Sequence, residues 1–174
     1  MGLAVGLHFP DIDSRLQGLI PPSVLLHRSI LTHGLGASLL LFWLVSRRGD
    51  TMPSLRLFVI GGSLALAVHL CFDFFPRGWT GFALIHVPVY GRTTALFSRA
   101  WIILSIGTCL YVAFLMVRNI IELVLSIVNL IISFIVSAVE DGRVALWAFM
   151  LLALAAVVTI VTSHQARKAA ARRA

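Results

Sequence analysis

Long apolar runs, separated by short charged or helix-breaking clusters, set the pattern of this chain. The runs extend from about Ser29 to Val45, from Leu57 to Phe75, from Ala100 almost to Val139, and from Val144 to Val161. About 20 apolar residues cross a bilayer core of about 30 Å. The third run is much longer than one span and is interrupted by a polar cluster at 118–122, so it predicts two spans joined by a tight turn. The pattern therefore predicts an all-α, polytopic transmembrane helical bundle of about five spans.

The composition agrees with a membrane protein. Hydrophobic residues make up 59% of the 174 positions and charged residues only 12%, whereas about a quarter of the residues in a soluble domain are charged. The formal net charge of +7 does not require a nucleic-acid partner, because a basic C-terminal tail beside anionic lipid accounts for it. We therefore expect the lipid bilayer, and no nucleic acid, as a partner.

The basic residues also suggest an orientation, because Lys and Arg concentrate in cytoplasmic segments near span ends. With the N-terminus outside, the inner basic residues are Arg47, Arg48, Arg56, Arg118, Arg167, Lys168, Arg172 and Arg173. The outer ones are Arg15, Arg28, Arg77, Arg92, Arg99 and Arg143. The small excess on the inner side favours an outer N-terminus and a cytoplasmic C-terminus.

Histidines and aspartates gather at one end of the first two predicted spans. The group consists of His8, Asp11, Asp13, His27, His33, His69 and Asp73. Because successive spans are antiparallel, the start of the first and the end of the second meet at the same membrane face. His69 and Asp73 are four residues apart and therefore share one face of a helix. Ionisable side chains within a membrane are costly and usually functional, so we expect a polar site at the outer face.

Imidazole nitrogens and carboxylate oxygens are ligands for zinc, manganese and iron, and six or seven of them could hold two ions. A bound ion can activate water and hold a phosphate-like group. Taken singly, His69 and Asp73 could satisfy each other, and His27 could cap a helix. Asp11 and Asp13 could form a solvated turn. The gathering of the whole group at one face favours a divalent metal site, with zinc as the first choice.

Four short motifs in the N-terminal half resemble those of one family. They are H-F-P-D-I-D at 8–13, H-R-S-I-L-T-H-G at 27–34, H-L-C-F-D at 69–73 and P-R-G at 76–78. Their order is similar to that of P-D-x-D, H-R-x-x-T-H-S, H-x-x-x-D and R-G in the YdjM-like family of bacterial inner-membrane proteins, whose members are regarded as metal-dependent hydrolases. The resemblance covers residues 8 to about 90. The H-x-x-x-D element is also similar to zinc-dependent phospholipase C enzymes, which suggests a phosphoester or lipid-like substrate.

The resemblance implies a set of metal ligands and a place in the inner membrane. The implied ligands are Asp11, Asp13, His27, His33, His69 and Asp73, with Arg28 and Thr32 as supporting residues. The sequence departs from the family where Gly34 replaces a serine and Ser14 replaces a histidine. Only seven residues precede His8, where family members carry a longer apolar helix with a Thr-His pair. His8 is therefore a further candidate ligand.

A stripe of polar residues follows the fourth predicted span at spacings of three and four residues. It consists of Asn119, Glu122, Ser126, Asn129, Ser133 and Ser137. Hydrogen-bonding and small side chains let helices approach each other in a membrane, so we expect the stripe to pack against a neighbouring helix, a partner protein or a second copy. Gly34, Gly36 and the Gly61–Gly62 pair similarly suggest close helix contacts. The alternative is a helix lying on the bilayer surface with its polar side in water.

The leading hypothesis is an integral membrane hydrolase that uses metal-activated water, with no separate general base assigned. A second hypothesis is haem binding by His33 and His69 as axial ligands, although the nearby carboxylates argue against it. A third is a non-enzymatic accessory subunit of a larger membrane complex, with a structural or vestigial metal site. We divide the chain into a metal-site half at 1–98 with two spans and an outer loop, a three-helix membrane half at 99–163, and a basic tail at 164–174.

Overall fold

Helices account for nearly all regular structure in this protein. The computed structural model describes residues 1–16, 19–21, 24, 28–48, 53–75, 84–142 and 145–172. The helices are α1 (Gly2–His8), α2 (Ile12–Arg15), α3 (Gly36–Arg48), α4 (Pro53–Phe74), α5 (Ala95–Met116), α6 (Ile120–Glu140) and α7 (Leu146–Ala171). The strands β1 (His86–Val87) and β2 (Gly91–Arg92) form a short antiparallel hairpin between α4 and α5.

The predicted all-α membrane bundle is confirmed. Four helices, α4, α5, α6 and α7, are long and apolar enough to cross a membrane, and α3 is a shorter apolar helix. These five helices correspond to the five predicted spans. The sides of α6 and α7 that point away from the bundle are apolar, with Ile131, Leu154 and Val157 more than half exposed, as expected for helices that face lipid.

The first predicted span begins later than expected. The apolar run starts near Ser29, but helix α3 starts only at Gly36. The segment before it forms turns, in which Ser29 makes an isolated parallel bridge to His86 and Ile30 donates its N–H to the His86 carbonyl at 2.8 Å. These long-range hydrogen bonds take the place of the helical ones, so the apolar character of the run does not produce a helix there.

The predicted turn inside the long third run lies where the polar cluster indicated. Helix α5 ends at Met116 and α6 starts at Ile120. Asn119 caps α6, because its side-chain oxygen accepts the Glu122 N–H at 2.9 Å. At the other end of the chain, α7 continues to Ala171, so much of the predicted basic tail is helical.

Helix α4 lies at the centre of the bundle and contacts α1, α3, α5, α6 and α7. Its fully buried Leu64, Val68 and Leu70 belong to one apolar core together with residues of α5, including Ile106 and Leu110. The core therefore joins the two halves into which the sequence was divided. Between helices in a membrane, van der Waals packing and close helix contacts hold such a core together.

The polar stripe of α6 lies against α4 of the same chain. Ser126 and Ser133 are buried, and Asn129 reaches the backbone of α4 near Gly61. The interpretation of the stripe as a helix-packing surface is therefore correct, and within the described residues its neighbour is α4. Within the stripe Ser126, Ser133 and Ser137 are buried, whereas Asn119 at its start is exposed.

Helix α6 also runs the full length of α4 in the same direction, and it does not lie on the bilayer surface. Arg56 at the start of α4 pairs with Glu122 at the start of α6. Towards their other ends, the rings of Phe72 and Phe134 are 5.2 Å apart. Contacts at both ends make α6 a member of the bundle.

Glycines allow α1 to lie directly on α4. A Cβ at Gly6 would be 2.8 Å from the Cβ of Ala65 and would collide with the Gly62 carbonyl oxygen. A Cβ at Gly2 would likewise collide with the Phe58 carbonyl oxygen. The expected close contact is thus present at Gly62, whereas Gly36 has no neighbour within 4 Å of its Cβ position.

Candidate metal site

Three separate segments bring polar side chains to one end of the bundle. Asp11 is the residue before α2, and Asp13 lies within that helix. His33 belongs to the turns before α3, and His69 and Asp73 occupy the last two turns of α4. Asp13 is helical and fully buried, so it does not belong to a solvated turn.

His33 occupies the middle of this group. It is 1% exposed, its Nδ1 is 3.3 Å from Asp13 Oδ2, and its Nε2 is 3.3 Å from Asp73 Oδ2. The backbone is also held, since Trp101 donates its indole N–H to the His33 carbonyl at 3.1 Å. Both ring nitrogens of His33 therefore face carboxylates, on opposite sides.

His69 approaches the same point from α4. Its Nε2 is 3.3 Å from Asp73 Oδ2 and 3.8 Å from Asp11 Oδ1. The imidazole rings of His33 and His69 have centroids 5.6 Å apart. Asp11, His33 and His69 each offer one ligand atom, and these atoms lie within 4.8 Å of one another, a separation that allows one metal ion to contact all three.

The carboxylate of Asp73 is the fourth polar group at this point. Its Oδ2 atom is buried and accepts no hydrogen bond of good geometry from the described residues, although the Nε2 atoms of His33 and His69 each lie 3.3 Å away. A buried carboxylate oxygen without a hydrogen bond is costly. A cation bound among these atoms would compensate that cost.

Asp13, another of the predicted ligands, contacts His33 from the side opposite Asp73. Its Oδ2 accepts the Thr32 hydroxyl at 2.7 Å and the Ser29 N–H at 3.2 Å, and it faces the Nδ1 of His33. It therefore lies behind His33, away from the Asp11, His33 and His69 ligand atoms. Carboxylates in this position fix the tautomer and the ring orientation of a metal-binding histidine.

Arg28 and Thr32, the two expected supporting residues, both contact the site. Thr32 bonds Asp13, and the Arg28 Nε is 3.4 Å from Asp73 Oδ1. Arg28 has a φ of 65°, which is rare for a residue with a side chain. The Arg28 carbonyl accepts the His86 N–H at 2.9 Å, so the β1 strand holds this strained turn beside the site, a setting in which such strain is commonly found.

A cavity of about 240 Å³ opens beside the site and is bordered by α4 and α6. Among the described residues, Asp11, Asp73, Glu140 and Asp141 contribute four carboxyl groups to its wall, and Arg28 contributes one cation. Carboxyl groups in this number favour the entry of a cation. It also means that an anionic substrate would bind well only after the negative charge had been offset.

One of the sequence-predicted ligands, His8, is not among these atoms. His8 ends α1 and is exposed, and it is not part of the described group that could hold an ion. His27 lies outside the described residues. The predicted residues that the structure brings together are therefore Asp11, His33, His69 and Asp73, with Asp13 behind His33.

The sequence pattern did not predict a role at this site for His86 or Trp101. His86 is buried, its Nδ1 has no hydrogen-bond partner among the described residues, and its backbone holds both Arg28 and Ile30. Only a lone histidine within the apolar string A-L-I-H-V marked it. Trp101 supports His33 and also lies against Gly34, where a Cβ would be 2.8 Å from its indole nitrogen. That contact gives a physical reason for a glycine, and not a serine, at this position.

No family model, curated protein or solved structure gives a significant match to the chain. The chemistry that the site could support is therefore inferred from its own residues and the distances between them. Two imidazoles and one or two carboxylates suit zinc, manganese or iron, and a set of three protein ligands leaves a position open for water, as in catalytic sites.

Proposed function

We propose that this protein is an integral membrane metal-dependent hydrolase that acts on a phosphoester or lipid-like substrate. The observation that carries the proposal is the convergence of ligand atoms from Asp11, His33 and His69 within 4.8 Å of one another, beside a cavity in the same end of the bundle. Asp73, close to both histidines, is the further candidate ligand, and an ion held by both imidazoles and one of the two carboxylates would keep a position for water. Zinc is the first choice of metal, with manganese and iron as alternatives.

A divalent ion at this site would supply a Lewis acid and lower the pKa of a bound water towards neutrality. The residues of the chain hold and orient the components. Asp13 and Thr32 keep the His33 ring turned with Nε2 towards the site. Arg28, which lines the cavity, holds the Asp73 carboxylate and presents a cation to an anionic substrate group, because an arginine guanidinium matches phosphate geometry.

The family and the location of the protein are part of the same proposal. The motifs at 8–13, 27–34 and 69–73 support membership of the YdjM-like family of bacterial inner-membrane proteins. In that assignment the N-terminus and the site face outward and the C-terminus is cytoplasmic, as the bias of basic residues suggests. Arg56 and Asp73 lie 17 positions apart on α4, or about 26 Å along a helix, which supports placing them at opposite faces of the membrane.

Metal content of the purified full-length protein is the first test. We expect about one equivalent or more of zinc, manganese or iron in protein prepared without chelators. His33→Ala and Asp73→Ala should lose it. His164→Ala is the matched control, because His164 is exposed on α7, in the half of that helix next to Arg167 and so far from the site. Protein without metal, together with wild-type behaviour of both site variants, would overturn the proposal.

Hydrolysis is the second test. Metal-loaded protein should cleave model phosphomonoesters, phosphodiesters or phospholipids in vesicles, and chelation should abolish the activity until metal is restored. Metal binding without hydrolysis of any of these substrates would instead favour an accessory subunit with a structural site. A Soret band would favour haem, but the Asp73 oxygen lies 3.3 Å from both imidazole Nε2 atoms and fills the space that a porphyrin between them would need.

A further inference from the structure

A second cavity, of about 510 Å³, lies at the opposite end of the bundle from the metal site. Its wall is formed by the last turns of α3, the start of α4, the end of α5 and the C-terminal half of α7. Arg56, which lines this cavity, and Asp73, which lines the first, are separated by most of the length of α4. The two cavities therefore have separate walls and separate chemistry.

Three arginines line this second cavity, and no acidic residue is among its described lining residues. Arg56 is buried, Arg167 is half-buried and Arg118 is exposed. The Glu122 carboxylate, which is not among the described lining residues, accepts two hydrogen bonds from Arg56 at 2.6 and 2.8 Å. The described lining contributes basic side chains and no acidic one, which favours an anionic ligand.

Two of these arginines also hold the end of α5. Arg56 donates to the Met116 carbonyl at 2.8 Å, and Arg167 Nη1 donates to the carbonyls of Phe114 and Val117. Arg167 uses only Nη1 for these bonds, and its Nε and Nη2 have no hydrogen-bond partner among the described residues. When one nitrogen of a guanidinium is fixed by hydrogen bonds, the N–H donors of its other nitrogens are already oriented to bind an anion.

The rest of the wall is apolar. It includes Phe42 and Val45 of α3 and Leu115, Met116 and Val117 around the end of α5. A small inorganic anion would leave this surface unused, whereas a ligand with a phosphate group and a hydrocarbon part would contact both the arginines and the apolar wall. The volume also falls within the range usual for small-molecule sites, about 300 to 1,000 Å³.

We propose that this cavity binds the phosphate headgroup of an anionic phospholipid, with the start of its acyl chains against the apolar wall. Basic pockets between transmembrane helices on the cytoplasmic side commonly bind such headgroups. The ligand would connect α3, α5 and α7 at the face where Arg56 and Glu122 already connect α4 and α6. The site is independent of the metal-dependent activity proposed above.

Lipid binding by the full-length protein in zwitterionic detergent tests this proposal. Native mass spectrometry with phosphatidylglycerol and phosphatidylcholine at equal concentrations should show preferential retention of phosphatidylglycerol. Each of Arg118→Gln and Arg167→Gln should weaken that retention about fivefold, which corresponds to about 1 kcal/mol for one charge near anionic lipid. Arg15→Gln and Arg92→Gln are matched controls, because both arginines are exposed outside this cavity, and they should retain wild-type binding.

The outcomes distinguish a phospholipid from a small inorganic anion as the occupant of the cavity. Arg118 is exposed, so its variant should fold normally even if Arg167→Gln does not. Equal retention of the two lipids, or an Arg118→Gln variant that behaves like the controls, would overturn the proposal. Displacement of phosphatidylglycerol by millimolar inorganic phosphate would show a small-anion site and would overturn the lipid assignment as well.

Discussion

The Asp13 carboxylate has no contact with solvent, and its closest described partners are the Thr32 hydroxyl, the Ser29 N–H and the His33 ring. A buried charge with three such neighbours is retained only where its partners compensate for lost hydration. Its position behind His33 gives it control over which imidazole nitrogen carries the proton. This contact would make His33 a well-oriented ligand of the proposed metal ion.

Asp13→Asn tests that control. An amide can still accept from Thr32, but it no longer offers a negative charge to His33 Nδ1, so the ring orientation is less well defined. Loss of the carboxylate that contacts the second nitrogen of a metal-binding histidine usually lowers metal affinity about 10- to 100-fold. Competition with a chromophoric zinc chelator measures the affinity. Arg15→Gln, an exposed neighbour on the same short helix, should have wild-type affinity, and equal affinities for all three proteins would contradict the role assigned to Asp13.

Trp101 leaves no room for a side chain at Gly34. In Gly34→Ala the new methyl group would lie 2.8 Å from the Trp101 indole nitrogen and 3.1 Å from the Ile30 carbonyl oxygen. We expect a loss of about 1 to 3 kcal/mol in unfolding free energy, as for other overpacked sites. Thermal unfolding in detergent measures it.

Gly36→Ala provides the comparison for this substitution, because nothing lies within 4 Å of its Cβ position. At the start of α3 it should leave the unfolding temperature unchanged or raise it slightly. Equal destabilisation by the two substitutions would mean that the contact with Trp101 does not restrict this turn.

At the scale of elements, the contact of α1 with α4 places the Asp11 segment. Helix α1 ends at His8, only three residues before Asp11, and Gly6 lets its backbone touch that of α4 at Gly62. A short helix has little stability of its own. The position of the first carboxylate therefore depends on this helix contact more than on local sequence preference.

Gly6→Ala should separate these two helices. The added methyl group would meet a backbone carbonyl, which cannot rotate away as a side chain can, so we expect a lower unfolding temperature and weaker metal binding together. Gly61→Ala is the matched control on α4, since its nearest neighbours are at 3.5 Å or more. Calorimetry and metal titration on both variants measure the two effects. Normal metal affinity in a clearly destabilised Gly6→Ala protein would contradict the dependence of Asp11 on α1.

The sequence predicted the membrane helices well because span length and apolar content are local properties. The turn between α5 and α6 followed from the polar cluster at 118–122, and the cap that Asn119 forms there involves a residue only three positions away. The late start of α3 could not be predicted in this way, because residues 29–33 are held by Asp13 and His86, which are distant in sequence. The same limit applies to Asp11 and Asp13. Two aspartates two positions apart look equivalent in sequence, and only tertiary structure directs one to the cavity and the other behind His33.

At the scale of the whole molecule, the acidic cavity and the arginine-lined cavity occupy opposite ends. Cysteine labelling in oriented vesicles should therefore find Ser14→Cys and Gln165→Cys accessible from opposite sides, since both positions are exposed. Cys71 and Cys109 are buried and should add little background. Labelling of both new cysteines by a membrane-impermeant reagent from the same side would contradict the arrangement of the bundle across the bilayer.

The shortness of α3 has a consequence for the surrounding lipid. Its 13 residues cover about 20 Å, less than the roughly 30 Å of a hydrocarbon core, and the turns that contain His33 directly precede its first residue. Hydrophobic mismatch of this kind is relieved when the bilayer thins locally around the short segment. The leaflet beside the start of α3 would then dip towards the histidines, so that a lipid substrate of the proposed hydrolase could bring its headgroup ester to the site without leaving the membrane, whereas a water-soluble substrate would have to descend to it.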